Sequence, residues 1–158
     1  MDIKNKIDCF VPCENAQQAQ QYATQFINED EVAKVFMLTS DDFNGSEKIA
    51  EDIGYIHVDN ILSTETMLKM AQNATADYVL FYMKTSPITL VYHALTRLVH
   101  VATDTKAALT YANRYSVEAG KVVRHPVIDY QAGSLRDDFD FGSLVLINAK
   151  MLREYAKQ

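Results

Sequence analysis

The chain has 158 residues with 15 basic and 21 acidic side chains, a formal net charge of -6 and a pI near 5.1. That acidic balance argues against a general nucleic-acid binder, because phosphate backbones call for a surplus of Lys and Arg. A content of 48% hydrophobic residues, with only five Gly and three Pro, argues against a disordered or collagen-like chain. One domain of this length buries about 70% of the surface its unfolded chain exposes, so a core forms without staples. No apolar run approaches the roughly 18 residues of a membrane span. Residues 1–13 lack a long apolar stretch and a small-residue cleavage site, so they do not read as a signal peptide. The expectation is one soluble, cytoplasmic domain.

Residues 7–13 (IDCFVPC) form a short β-prone apolar run carrying the only two cysteines. On one strand Cys9 and Cys13 lie about 13 Å apart at ~3.3 Å per residue, beyond the roughly 7 Å limit for a disulfide. Two Cys also make half a structural zinc site. Two buried thiols beside a sheet are expected.

Asn15 then reads as an N-cap with Gln18 three residues on, ahead of Ala19, Tyr22, Ala23, Phe26 and Ile27 at helical spacing. Residues 32–39 (VAKVFMLT) predict a second strand. Ser46 is placed to cap a short helix ending before Gly54, taken as its C′ residue. Residues 55–58 (YIHV) predict a third strand. Ser63 opens a helix with Met67, Leu68, Ala71 and Ala74 on its inner stripe. Residues 77–83 (DYVLFYM) predict a fourth strand, buried on both faces. A helix over 88–103 follows, with Val91, Ala94, Leu95, Leu98, Val99 and Ala102 on one face, then a fifth strand over 107–112.

Strands alternating with helices predict an α/β fold with a mostly parallel sheet and helices on both faces. Ligands of such sheets bind beyond the carboxyl ends of the strands, where the strand order reverses. The loops there are 12–15, 40–45, 59–62 and 84–87, and function should converge on them. After residue 112 the alternation stops. Residues 114–121 read as a hairpin turn, 122–130 as its returning strand, 131–141 as a loop, 143–147 as a last strand and 151–156 as a short helix. This last third is expected to elaborate the sheet rather than form a second domain.

Neither GxGxxG nor GxxxxGK[ST] occurs, which weakens a dinucleotide oxidoreductase or a P-loop kinase. GxSxG, HExxH and CxxC are also missing. His93 and His100, seven apart, are expected on one helix face about 10 Å apart, too far for two ligands of one metal. Eight acids fall between Glu29 and Asp52, and most should be solvated faces. Asp41 and Asp42 differ, because they follow the second strand at the carboxyl edge of the sheet. Asp137, Asp138 and Asp140 repel one another unless a cation or a donor-rich ligand sits among them. Two readings stand for that cluster: an exposed loop with Arg136 as counter-ion, or a loop facing substrate.

Together these segments resemble family-2 glycosyltransferases, which have the GT-A nucleotide-diphospho-sugar transferase fold. Val11-Pro12-Cys13-Glu14-Asn15 resembles their Pro-x-Tyr-Asn turn, with Glu14 where Tyr often stands. Leu38-Thr39-Ser40-Asp41-Asp42 followed by Asn44-Gly45-Ser46 resembles their Asp-Asp-Gly-Ser. Residues 73–81 (NATADYVLF) resemble the segment before their metal motif. Residues 125–130 (HPVIDY) and 133–143 (GSLRDDFDFGS) look like a bacterial subgroup, and the latter is the most specific signal. The resemblance spans residues 7–153.

The resemblance implies that Pro12 and Glu14 approach the base and ribose of a nucleotide and that Asp41 accepts from the base, with Thr39 or Ser40 in that position under a shifted alignment. It implies Asp137, Asp138 and Asp140 around the sugar and the acceptor. The partners implied are a nucleotide-sugar donor and a glycan or lipid-linked acceptor, with no nucleic acid, at the inner membrane face in the full-length protein. The family's Asp-x-Asp would hold a divalent metal on the diphosphate, but the chain reads Met83-Lys84-Thr85 there. No cofactor is therefore expected, and Lys84 becomes the counter-charge to the diphosphate. One charge at 4 Å gives roughly 4 kcal/mol of gross attraction at an effective dielectric of 20, half that of a divalent ion. The family's general base lies C-terminal to the 133–143 loop, so the chain is read as part of a longer protein, and no residue is assigned as catalytic. The runner-up is a non-catalytic nucleotide-sugar-binding or scaffolding module of the same fold. A flavodoxin-like or receiver-like domain is a third reading, to which Glu14 and Asp59 conform only loosely.

Overall fold

A strand buried along its whole length must lie inside a sheet with both faces covered, and β1 (Ile7–Pro12) is buried at every residue. Ile7, Cys9 and Val11 enter one core; Phe10 enters the other. The computed structural model describes residues 5–43, 49–127, 129, 131–133, 136 and 139–157. Its further elements are α1 (Ala16–Ile27), β2 (Val32–Thr39), β3 (Ile53–His57), α2 (Thr64–Asn73), β4 (Tyr78–Tyr82), α3 (Ala94–Thr105), β5 (Leu109–Tyr111), β6 (Arg114–Glu118), β7 (Lys121–His125), β8 (Leu144–Asn148) and α4 (Ala149–Tyr155).

Six strands form one sheet in the order β3-β2-β1-β4-β8-β5. β1 is parallel to both its neighbours, β2 and β4, and β2 is parallel to β3. The protein is therefore α/β, with a mostly parallel central sheet flanked by helices. Tyr22, Ala23 and Phe26 of α1 and Leu95, Leu98 and Val99 of α3 cover one face. Met70 and Ala71 of α2 and Ala149 and Leu152 of α4 cover the other. The alternation along β4 matches: Tyr78, Leu80 and Tyr82 face the first core, Val79 and Phe81 the second. Phe10 stacks on Phe36 with ring centroids 4.8 Å apart. A fully buried side chain such as Phe10 stabilises the fold by about 1.5–3 kcal/mol relative to exposure. Both cysteines are free and buried, as expected. Among the described residues no helix is long and apolar enough to cross a membrane.

Several boundaries differ from the sequence reading, each for a physical reason. Gly54 is no helix C′ residue: it lies in β3, opposite Phe36, where an added Cβ would come within 3.1 Å of that ring. Residues 49–52 form no helix, and the cap expected at Ser46 lies outside the described residues. α3 starts at Ala94 rather than residue 88. Ile88 and Leu90 pack against the first core while Thr89 is exposed, which is extended alternation. His93 takes a left-handed conformation (φ 57) as the cap of α3, so it shares no helix face with His100, and Val91 is exposed. Residues 114–118 are a strand instead of a turn. β6 and β7 pair as a separate hairpin about Ala119 and Gly120, both at positive φ. The last strand, expected over 143–147, is β8, and it lies antiparallel between β4 and β5. Val145 and Leu146 face opposite cores, so the strand needs cover on both sides, and α3 and α4 provide it.

Asp8 is the buried acid of the central strand. Its Oδ2 accepts from Thr75 N at 2.6 Å, Ala76 N at 2.9 Å and the Thr75 hydroxyl at 3.3 Å. These bonds fix the turn that delivers the chain from α2 into β4. Asp8→Ala should lower unfolding free energy by about 1.5–3 kcal/mol, the scale of hydrogen bonds to a charged group. Asp8→Asn, which keeps an acceptor oxygen, should cost less. Urea denaturation of the two variants checks this, and equal costs would assign the effect to packing.

Candidate functional site

The chain leaves β1 for β2 and β3 on one side, then returns to β4 on the other. The order thus reverses between β1 and β4, where open α/β sheets form their crevice. A cavity of about 680 Å³ opens there, within the usual range for small-molecule sites. Pro12, Cys13 and Glu14 line it beyond β1, Thr39 and Ser40 beyond β2, Asp59 to Leu62 beyond β3, and Lys84, Thr85 and Ser86 beyond β4. Four loops from different parts of the sequence meet because parallel strands put all their carboxyl ends at one edge.

Two capped helices leave from these loops. Asn15 Oδ1 accepts from Gln18 N at 2.9 Å at the start of α1. Ser63 Oγ accepts from Thr66 N at 3.2 Å at the start of α2, as its position predicts. Asn60 closes the third loop: its Oδ1 accepts from Leu62 N and its carbonyl from the Thr66 hydroxyl.

Gln18 joins the two strands that flank the reversal. Its Oε1 accepts from Glu14 N at 2.8 Å, and its Nε2 donates to Thr85 O at 3.0 Å and to Tyr22 Oη at 3.2 Å. Tyr82 Oη donates to Ser86 O at 2.8 Å, and Tyr22 Oη to the same carbonyl at 3.4 Å. Lys84 lies between the end of β4 and this anchored pair. Burial pushes the Tyr22 phenol up, and also the Cys13 thiol, which donates to Asn15 O at 3.2 Å. Cys13 is thus packed floor rather than a nucleophile.

The segment after residue 138 approaches the same edge. Met83 N donates to Ser143 O at 2.8 Å, extending the β4–β8 ladder. Phe139 and Phe141 pack on Tyr111 with centroids 5.9 and 5.3 Å away, and the residue between them, Asp140, is exposed. Gly142, at φ 83, donates its N–H to Asp140 Oδ1 at 2.7 Å, and Arg114 Nη2 lies 3.3 Å from Oδ2. The Gly142 N–H, then Arg114 and Lys84, hold Asp140 below the usual carboxylate range. The Ser116 hydroxyl, His125 and Lys84 do the same for Glu118. Lys84 therefore has both carboxylates within electrostatic reach.

Of the sequence-derived site residues, Pro12, Glu14, Thr39 and Lys84 line the crevice. Asp41 stands at its rim, where its Oδ1 lies 3.2 Å from His57 Nε2. Asp140 approaches from the β8 side. Asp137 and Asp138 lie outside the described residues. Sequence reasoning missed Gln18 as a bridge, having read it only as part of the helix start. It also missed His57 as a neighbour of Asp41. The signal for the latter was the parallel pairing of β2 and β3, which sets Thr39 opposite His57. The metal expected for the family at the fourth loop does not fit this chain, since Met83, Lys84 and Thr85 offer no carboxylate. Three groups that fit a cation lie elsewhere: Asp41, His57 and Asp59 have ligand atoms within 4.8 Å of one another. No protein-family model matches the chain, and no curated protein matches it.

Two outcomes follow from this geometry. Gln18→Ala should destabilise the protein by about 1–3 kcal/mol, because Glu14 N and Thr85 O both lose their partner; chemical denaturation measures it. The Asp140 carboxyl should titrate below the ordinary value of about 3.9. Its depressed folded value means its contribution to stability is full above that ordinary value and is lost as pH falls through the folded one. Carboxyl NMR titration checks this, and Arg114→Ala should raise the midpoint only in part, because the Gly142 N–H remains.

Proposed function

We propose that the crevice between β1 and β4 binds the diphosphate and nucleoside of a nucleotide-sugar, and that the domain is the donor-binding part of an inverting, GT-A-like glycosyltransferase. The observation that carries this reading is the placement of Lys84. It is the one cation lining the crevice among the described residues, and its loop is held by Gln18, Tyr22 and Tyr82. A diphosphate is an anion that a cation on such an anchored loop suits. The start of α1, whose first turn carries no acid, adds a favourable dipole end close by. Pro12, Glu14 and Thr39 form the wall left for the nucleoside, with Asp41 at its rim.

In this reading the bond between the anomeric carbon and the diphosphate oxygen breaks as an acceptor hydroxyl attacks from the opposite face. The hydroxyl proton passes to a base, and Lys84 offsets the charge left on the diphosphate. Asp140, held ionised and weakly basic by Gly142 and Arg114, suits hydrogen bonds to sugar hydroxyls rather than proton abstraction. A glycan or lipid-linked acceptor would approach along that side. The second reading, a module that binds the nucleotide-sugar without transfer, is favoured by the fourth loop's lack of a carboxylate.

Calorimetry with UDP, GDP and the matching nucleosides tests the proposal. Lys84→Glu should weaken diphosphate binding by roughly 10- to 100-fold, the loss expected for a charged hydrogen bond, and leave nucleoside binding nearly unchanged. Equal losses for both would mean that Lys84 does not face the diphosphate. A transfer assay with a panel of nucleotide-sugars separates the two readings, because only the enzyme releases the nucleoside diphosphate.

A further inference from the structure

We propose that Asp41, His57 and Asp59 form a divalent-cation site at the rim of the crevice, suited to Mn²⁺ or Co²⁺ rather than Mg²⁺. The sheet itself builds the cluster. β2 and β3 are parallel, with Thr39 opposite His57 and Val58 N donating to Thr39 O at 2.9 Å. Two residues beyond each member of that pair come Asp41 and Asp59, one from each chain segment. Their Oδ1 atoms lie 3.2 and 3.1 Å from the same atom, His57 Nε2.

One imidazole nitrogen cannot satisfy both carboxylates. Protonated, Nε2 has a single N–H to aim at one oxygen; unprotonated, it faces two anions with a lone pair. An ion between the three groups turns all of these lone pairs into ligands. The two distances to His57 suit it, since bonds of about 2.1 Å put adjacent ligands about 3.0 Å apart at right angles and about 3.4 Å apart in a tetrahedron, and all three ligand atoms lie within 4.8 Å of one another. An imidazole with two carboxylates is a mixed nitrogen–oxygen set, which favours first-row transition ions over Mg²⁺. The side chains are 45%, 88% and 75% exposed for His57, Asp41 and Asp59, which leaves coordination positions open towards solvent.

The purpose such an ion would serve rests on the nucleotide reading above. Glu14, Asp41 and Asp59 oppose Lys84 around the opening, so an anionic ligand meets net negative charge there. A divalent ion at the rim reverses that balance. The ion's own binding does not depend on that reading.

The test is therefore made first without nucleotide. Isothermal titration with MnCl₂, CoCl₂ and MgCl₂, with electron paramagnetic resonance to count bound Mn²⁺, should give one ion per chain. Co²⁺ should bind more tightly than Mn²⁺, and both more tightly than Mg²⁺. His57→Gln, Asp41→Asn and Asp59→Asn should each weaken Mn²⁺ at least about 10-fold, as even outer-shell changes do at metal sites. His100→Gln on α3 should leave binding unchanged. Broadening of the His57 ring signals of the unmodified protein by substoichiometric Mn²⁺ gives a readout independent of any variant. Absence of a bound ion, unbroadened His57 signals, or binding that survives all three substitutions would overturn the proposal. Repeating the titration with UDP separates the two ideas: an ion that binds as described without any UDP binding supports the metal site and removes the nucleotide reading.

Discussion

A buried amide spans the place where the sheet reverses its order. Gln18 accepts from Glu14 N beyond β1 and donates to Thr85 O beyond β4, so it ties together the two loops that leave these paired strands. The crevice exists because no connection of the chain crosses it: β1 leads away to β2 on one side, and β4 is reached from the other. Without a polar bridge, the backbone groups of both loops would lack partners in a partly buried setting, which is costly. A glutamine suits the position because one side chain carries both an acceptor and donors. The loop that carries Lys84 is anchored by that bridge.

Two cores press on the sheet and make its edge rigid. α1 and α3 cover one face, α2 and α4 the other, and β8 fills the space between β4 and β5. An interior strand is fixed by ladders on both sides, so its end moves little. The carboxyl ends of β1, β2 and β4 are therefore a stable frame, and the loops vary upon it. The 139–142 turn joins the frame through Phe139 and Phe141 packed on Tyr111, which leaves Asp140 facing outward. Alternation of aromatic and acid residues, a simple period of two, converts packing on one side into charge on the other.

Charge is distributed unevenly around that frame. The Gly142 N–H, Arg114 and Lys84 lower Asp140, and the Ser116 hydroxyl, His125 and Lys84 lower Glu118, so among the described residues charges of both signs meet on the β8 side. On the β3 side, Asp41 and Asp59 converge on one histidine, and the balance is negative. These two sides differ because the first brings β6 together with the loops after β4 and before β8, which carry both signs, while the second gathers acids that follow two adjacent parallel strands.

The sequence by itself determined the α/β class, the caps at Asn15 and Ser63, the buried cysteines and the loops at the carboxyl edge. Those features depend on periodicity and on neighbours within a few positions, which the chain displays directly. Pro12, Glu14, Thr39 and Lys84, which the resemblance singled out, line the crevice because the carboxyl ends of parallel strands share one edge. Only the tertiary structure decided that β8 lies between β4 and β5, that Gly54 makes room for Phe36, that Gln18 ties the loops beyond β1 and β4, and that His57 meets Asp41 and Asp59. Each of these is a contact between residues distant in sequence. Its identity is set by strand order and register, and neither is written in the period of a single segment.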